Sequence, residues 1–145
     1  MHRFIYLYIA VSFILSSNTY AYTTSDFPCL SGTELDMQAC LDLKYKEADK
    51  NLNKVYKEVV ELVKIIDKSK ATYAKVKSDY TLSQLVKEER KWIELRDASC
   101  ETVSRMLGPI GSMSSTYYAR CMLKTTLERV KYLQDLKLLA EDIAH

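Results

Sequence analysis

The sequence predicts an all-α fold: an antiparallel bundle of three long helices, with room for a fourth short one, tied by two disulfides at one end. Apolar residues recur at alternating steps of four and three through three long segments, the spacing of one helix face. No segment alternates apolar and polar residues as a half-buried strand does. Breakers are scarce, with 3 Gly and 2 Pro in 145 residues, and Gly108-Pro109-Ile110-Gly111 gathers most of them at one point.

The first helix is expected over about Thr33 to Lys68. Capping residues precede it, with Glu34 three after Ser31 and Asp36 three after Thr33. Its buried stripe reads Leu41, Tyr45, Ala48, Leu52, Val55, Val59, Leu62 and Ile66. Ser69–Ser78 lacks strong periodicity and reads as a turn or a loose helical start. A second stripe runs through Leu82, Leu85, Val86, Trp92, Ile93, Cys100, Val103 and Leu107, up to the Gly-Pro break. The third helix begins near Ser114–Thr116 and runs to Ala144, burying Leu123, Leu127, Val130, Leu133, Leu136, Ala140 and Ile143. Three rods joined by short links must run up, down and up to bury these stripes.

Residues 1–21 read as a secretory signal peptide: basic His2 and Arg3, an apolar run from Phe4 to Leu15, and small residues at Thr19 and Ala21. The run is too short to cross a bilayer, which takes about 20 apolar residues. Cleavage after Ala21 leaves residues 22–145 as a single domain, exported to the periplasm or secreted, with no membrane span. Of 21 Lys and Arg, only Arg3 is removed, leaving 20 against 19 acidic residues, a balance of +1. Neither nucleic acid nor a membrane is assigned as partner on that balance. The charge is segregated, with 6 acidic and 2 basic residues over Asp26–Asp49, then 8 basic and 3 acidic over Lys50–Lys77. Two solvated faces of one long helix account for this on the sequence alone.

Four cysteines, Cys29, Cys40, Cys100 and Cys121, survive processing, and an even count in a small exported domain reads as two disulfides. Of three possible pairings, Cys29–Cys40 with Cys100–Cys121 is preferred because each closes a local loop. The up-down-up topology then puts all four at one pole. The 2 histidines are His2 and His145. Zinc sites and histidine-activated nucleophiles are accordingly disfavoured. No cofactor, metal or enzymatic activity is expected. Levelling the cysteines sets Trp92 against Ala48 and Arg129, with Arg96 and Asp49 within about a turn (roughly 5.4 Å) of each other. That register predicts a Trp92/Arg96/Asp49/Arg129 layer, with Arg129 over the indole.

The pattern Met37-Gln38-Ala39-Cys40, Tyr45, Ala48-Asp49, Leu52-Asn53 and Tyr56 resembles the first half of the LprI-like lysozyme-inhibitor family. Arg90-Lys91-Trp92-Ile93-Glu94-Leu95-Arg96-Asp97-Ala98-Ser99-Cys100 is similar to that family's tryptophan, arginine, aspartate and cysteine motif. Gly111-Ser112, Cys121, Thr125 or Thr126, Arg129 and Leu133 match the remainder. Glu89 departs from the glutamine usual before the motif's arginine, and Lys50–Lys77 is unmatched. The resemblance implies a small secreted helical domain of bacterial envelopes, with lysozyme inhibition attributed to the founding member. The matched Asp49, Asn53, Tyr56, Trp92, Arg96, Asp97 and Arg129 have two readings, structural glue or recognition surface, of which glue is favoured.

Three function classes follow: an inhibitor occluding a lysozyme or other cell-wall hydrolase, an immunity or interaction protein binding another toxin or envelope component, and an enzyme. Lysozyme-type enzymes work with two carboxylates in a cleft. The segment suited to entering a cleft is Gly108–Thr116, framed by Cys100–Cys121, with Arg105 and Arg120 at its roots. It carries Gly111, Ser112 and Met113, and Tyr117 and Tyr118 stand beside it. Catalysis is disfavoured because continuous stripes leave no cleft to perturb a carboxyl group.

Overall fold

The computed structural model describes residue 29 and residues 31–74, 77–106 and 113–144; the signal segment, Gly111 and Ser112 lie outside them. Three helices follow one another: α1 (Glu34–Ala74), α2 (Tyr80–Met106) and α3 (Met113–Ala144). No strand occurs among the described residues.

The start of α1 follows from its cap. Thr33 Oγ1 accepts from the Asp36 N–H at 3.3 Å, and Asp36 Oδ2 accepts in return from the Thr33 N–H at 2.9 Å. The hydroxyl and backbone donors of Thr33 hold the Asp36 carboxyl below its usual range. Gly32 approaches this cap at φ 100°, where a Cβ would stand 3.1 Å from Asp36. The helix does not end near Lys68 but continues to Ala74. Residues 69–74 contain neither Gly nor Pro, and Thr72 Oγ1 bonds back to the Lys68 carbonyl at 3.1 Å.

Ser115 Oγ donates to Gln38 Oε1 at 3.1 Å and Lys137 Nζ to Glu58 at 2.8 Å, offsets of 77 and 79 residues, so α3 runs parallel to α1. α2 returns antiparallel to both. α1 and α3 share the most extensive interface, and α2 leans more on α3 than on α1.

One core cluster holds Leu52, Val55, Val59, Val63, Leu85, Val130 and Leu133, with Trp92 packed against it. A second holds Cys29, Leu41, Ala48, Ala119 and Leu123. Trp92 packs against the first cluster, and Ala48 belongs to the second. Two expectations are corrected: Leu127 and Ile143 are 46% and 54% exposed. Thr116, Thr126 and Arg129 share the buried face of α3 instead, because a 3.6-residue period drifts away from a strict heptad. Ile93, at 39%, also faces outward.

Both disulfides pair as the local-loop reading prefers, Cys29–Cys40 and Cys100–Cys121, at the pole shared by the start of α1, the end of α2 and the start of α3. At the opposite pole, among the described residues, one carboxylate bonds across the α1–α2 connection. Asp67, 1% exposed, accepts the Thr81 N–H at 3.0 and 2.9 Å and the Leu82 N–H at 2.8 Å. An α1 side chain thus caps α2 across their connection, satisfying donors that a helix start leaves open. Burial pushes this carboxyl up, but the hydrogen bonds outweigh it and hold the group below its usual range.

Candidate functional site

Trp92 and Arg96 are four residues apart on α2, and Arg129 and Tyr132 three apart on α3, so each pair shares a helix face. The register brings these faces together with Tyr45 of α1. The result is an alternating stack of rings and guanidinium groups across all three helices. Arg96 stands 5.9 Å from the Tyr45 ring centre and 5.0 Å from that of Trp92. Arg129 stands 5.4 Å from Trp92 and 4.6 Å from Tyr132. These distances lie within cation–π range.

Both guanidinium groups are also held by acids. Arg129 Nε and Nη2 bond Glu89 Oε2 at 3.0 and 2.7 Å, and Nη1 bonds Glu88 Oε1 at 2.8 Å. Its desolvation is outweighed by these two carboxylates, which keep its pKa above the ordinary value. Arg96 takes its sequence neighbour Asp97 at 2.8 Å. Asp49 stands within electrostatic reach of Tyr45 in this layer, but the acid that Arg96 bonds is Asp97. The Asp49 carboxylate accepts from Asn53 Nδ2 at 3.1 Å on its own helix. The acids of Arg129 went unrecognised in the sequence, although Glu88 and Glu89 stand four and three residues before Trp92, on its own face.

Tyr56 is half-buried beside Glu89 and Arg129; burial first, then the Glu89 charge, raises its pKa. Tyr45 is raised by burial against the opposing charge of Arg96, and Tyr132 by burial and Glu88. Outside the stack, Trp92, Leu95, Arg96, Ser99, Thr125, Glu128, Arg129 and Tyr132 line an open groove of about 300 Å³ between α2 and α3. Its arginines are already matched by carboxylates, Arg96 by Asp97 and Arg129 by Glu88 and Glu89. No group of three or more His, Cys, Asp or Glu able to hold a metal occurs among the described residues.

The disulfide pole has a different character. Ser104 Oγ and Ser114 Oγ lie 2.7 Å apart, and Ser114 Oγ donates to the Ser104 carbonyl at 3.0 Å. These bonds fasten the end of α2 to the start of α3 on both sides of residues 107–112. Around this frame Leu35 is 75% exposed, Met106 80%, Met113 44% and Tyr117 38%. Arg105 points to solvent and pairs with Glu101 at 2.8 Å. Tyr118 and Arg120 are half-buried, Tyr118 within electrostatic reach of Tyr45. The expected contact residues therefore divide, with Met113, Tyr117 and Arg105 outermost and Tyr118 and Arg120 set back.

The sequence model of the family described as Lysozyme inhibitor LprI matches residues 29–133. An uncharacterised protein of Rhizobium meliloti (strain 1021) is 32% identical over 114 residues, covering 76% of this chain and 78% of the relative. The crystal structure of a DUF1311 family protein from Pseudomonas putida KT2440 superposes with a TM-score of 0.54 at 22% identity, over 69% of this chain and 89% of that one. At that identity it attests the shared fold alone.

Proposed function

This chain belongs to the LprI lysozyme-inhibitor family, and we propose that it is an exported, non-enzymatic protein that binds and occludes a peptidoglycan-cleaving enzyme. The observation that carries this reading is the disulfide pole. There Leu35, Met106, Met113 and Tyr117 are presented to solvent on a frame held by two disulfides and the Ser104–Ser114 link. Large apolar and aromatic side chains on a rigid support are what a protein contact uses, because little ordering entropy opposes binding. The start of α1 at the same pole, residues 34–49, carries Glu34, Asp36, Asp42, Glu47 and Asp49 against Lys44 and Lys46. Lysozymes are generally basic, so an acidic flank favours their approach.

Contact at this pole has a direct test. The Met113→Ala/Tyr117→Ala pair should weaken capture of a target lysozyme at least ~10-fold, about 1.4 kcal/mol, while leaving the melting temperature unchanged. Undiminished capture by that pair would move the contact elsewhere on the bundle.

A further inference from the structure

We propose that the outer face of α1 is a cationic rail that holds the protein against an anionic lipid surface. At 100° per residue, the line opposite the buried stripe of α1 passes through Lys46, Lys50, Lys54, Lys57, Lys64 and Lys68, with Glu61 among them. All six lysines are exposed, in a row about 33 Å long at 1.5 Å per residue. The nearby acids are already taken: Glu47 pairs with Lys44, Glu61 with Lys64, and Glu58 with Lys137. Lys46, Lys50, Lys57 and Lys68 enter none of the ion pairs among the described residues, and Lys54 reaches only Glu58, which Lys137 already holds. This separates the rail from an ordinary solvated face, on which opposite charges neutralise one another in i,i+4 pairs.

The lining favours a plane over a strand. Lys50, Lys54 and Lys57 share an open recess with Glu47, Asn51, Asn53 and Glu58 that holds no aromatic ring, whereas single-stranded polyanions are gripped in grooves lined by stacking rings. Lysine supplies hydrated point charges suited to diffuse attraction, without the bidentate geometry that arginine brings to a specific site. The large apolar residues nearby, Leu43 and Ile65, lie at one end and on one flank of the row, so attachment is electrostatic and reversed by salt. With a mature balance of only +1 (20 basic against 19 acidic residues), attraction depends on where the lysines are, not on net charge. This inference is independent of the lysozyme-binding reading.

The test is sedimentation of residues 22–145 with vesicles of phosphatidylglycerol mixed into phosphatidylcholine, and of phosphatidylcholine alone. Binding is expected to the mixed vesicles only, released by raised salt. Lys50→Glu/Lys54→Glu/Lys57→Glu should weaken it by roughly 100-fold or more, taking about 1 kcal/mol for each lysine near the surface. Lys87→Glu/Lys91→Glu/Lys131→Glu, with the same change in net charge, should retain it. Circular dichroism and melting establish that both variants are folded; should the rail variant unfold, the glutamine substitutions at the same positions replace it. The proposal is overturned by equal binding to both vesicle types, by no binding to either, or by equal loss in the two variants. It is likewise overturned if soluble polyphosphate binds while the vesicles do not.

Discussion

Arg129 is the side chain whose loss should cost the bundle most. It is 7% exposed, two carboxylates hold its donors, and two aromatic rings cover it. Truncation leaves Glu89 buried without its partner, a change that costs about 3–5 kcal/mol. Arg129→Ala should therefore lower urea stability by that amount, and a loss below about 1 kcal/mol would mean the pair is not a buried one. Glu89→Gln keeps an acceptor for the guanidinium and should cost less, about 1–2 kcal/mol. Asp67 supplies a pH signature. Its folded pKa lies below the ordinary 3.8, so its stabilisation is complete above that value and fades as the pH falls through the lowered one. Asp67→Asn should reduce stability at neutral pH by about 1–2 kcal/mol and flatten the acid limb. Parallel acid limbs in urea melts of wild type and variant would remove this role.

At the scale of the element, the poles differ in how they are fastened. Cys100–Cys121 closes a separation of 21 residues, worth about 3 kcal/mol in the chain-entropy account. Cys100→Ala/Cys121→Ala should lose about that much, and a loss under 1 kcal/mol would point to a pole held by packing and the Ser104–Ser114 link. Amide exchange should be faster in the last turns of α1 and the first of α2 than around the disulfides; the reverse order would contradict a fastening by the Asp67 carboxylate. Most of this architecture was legible in the residues. Helical spacing gave the three rods, loop closure the cysteine pairing, and levelling the cysteines placed Arg129 over Trp92. Charge partners were less legible, because side-chain reach chooses among acids that differ by less than a turn. Arg96 took adjacent Asp97 over Asp49, and Arg129 took Glu88 and Glu89. Asp67 stayed hidden because its partners are backbone donors of another helix, 14 and 15 residues on. The stripe of α3 was misplaced at Leu127 and Ile143 because Thr116, Thr126 and Arg129, polar by type, occupy its buried line.

Over the whole molecule, three kinds of surface are laid out along one rod. The disulfide pole is acidic with exposed apolar residues, the α2–α3 face carries a neutralised aromatic–guanidinium lock, and the outer face of α1 is a row of lysines. Such a division suits a protein that presents one end to a basic enzyme while its flank rests on a negatively charged surface. The lock lies away from the disulfide pole and should influence partner binding only through stability. Trp92→Phe should thus lower the melting temperature by a few degrees, on the scale of about 4 °C per kcal/mol for a domain of this size, and leave affinity unchanged. A loss of affinity at unchanged stability would make the stack part of the contact.

The most direct measurement is the activity of lysozymes of different types titrated with purified residues 22–145. At least one should lose activity in proportion to added protein, reaching a plateau near one inhibitor per enzyme, with the Met113→Ala/Tyr117→Ala variant displaced to higher concentration. Full activity of every lysozyme at large molar excess would contradict the account.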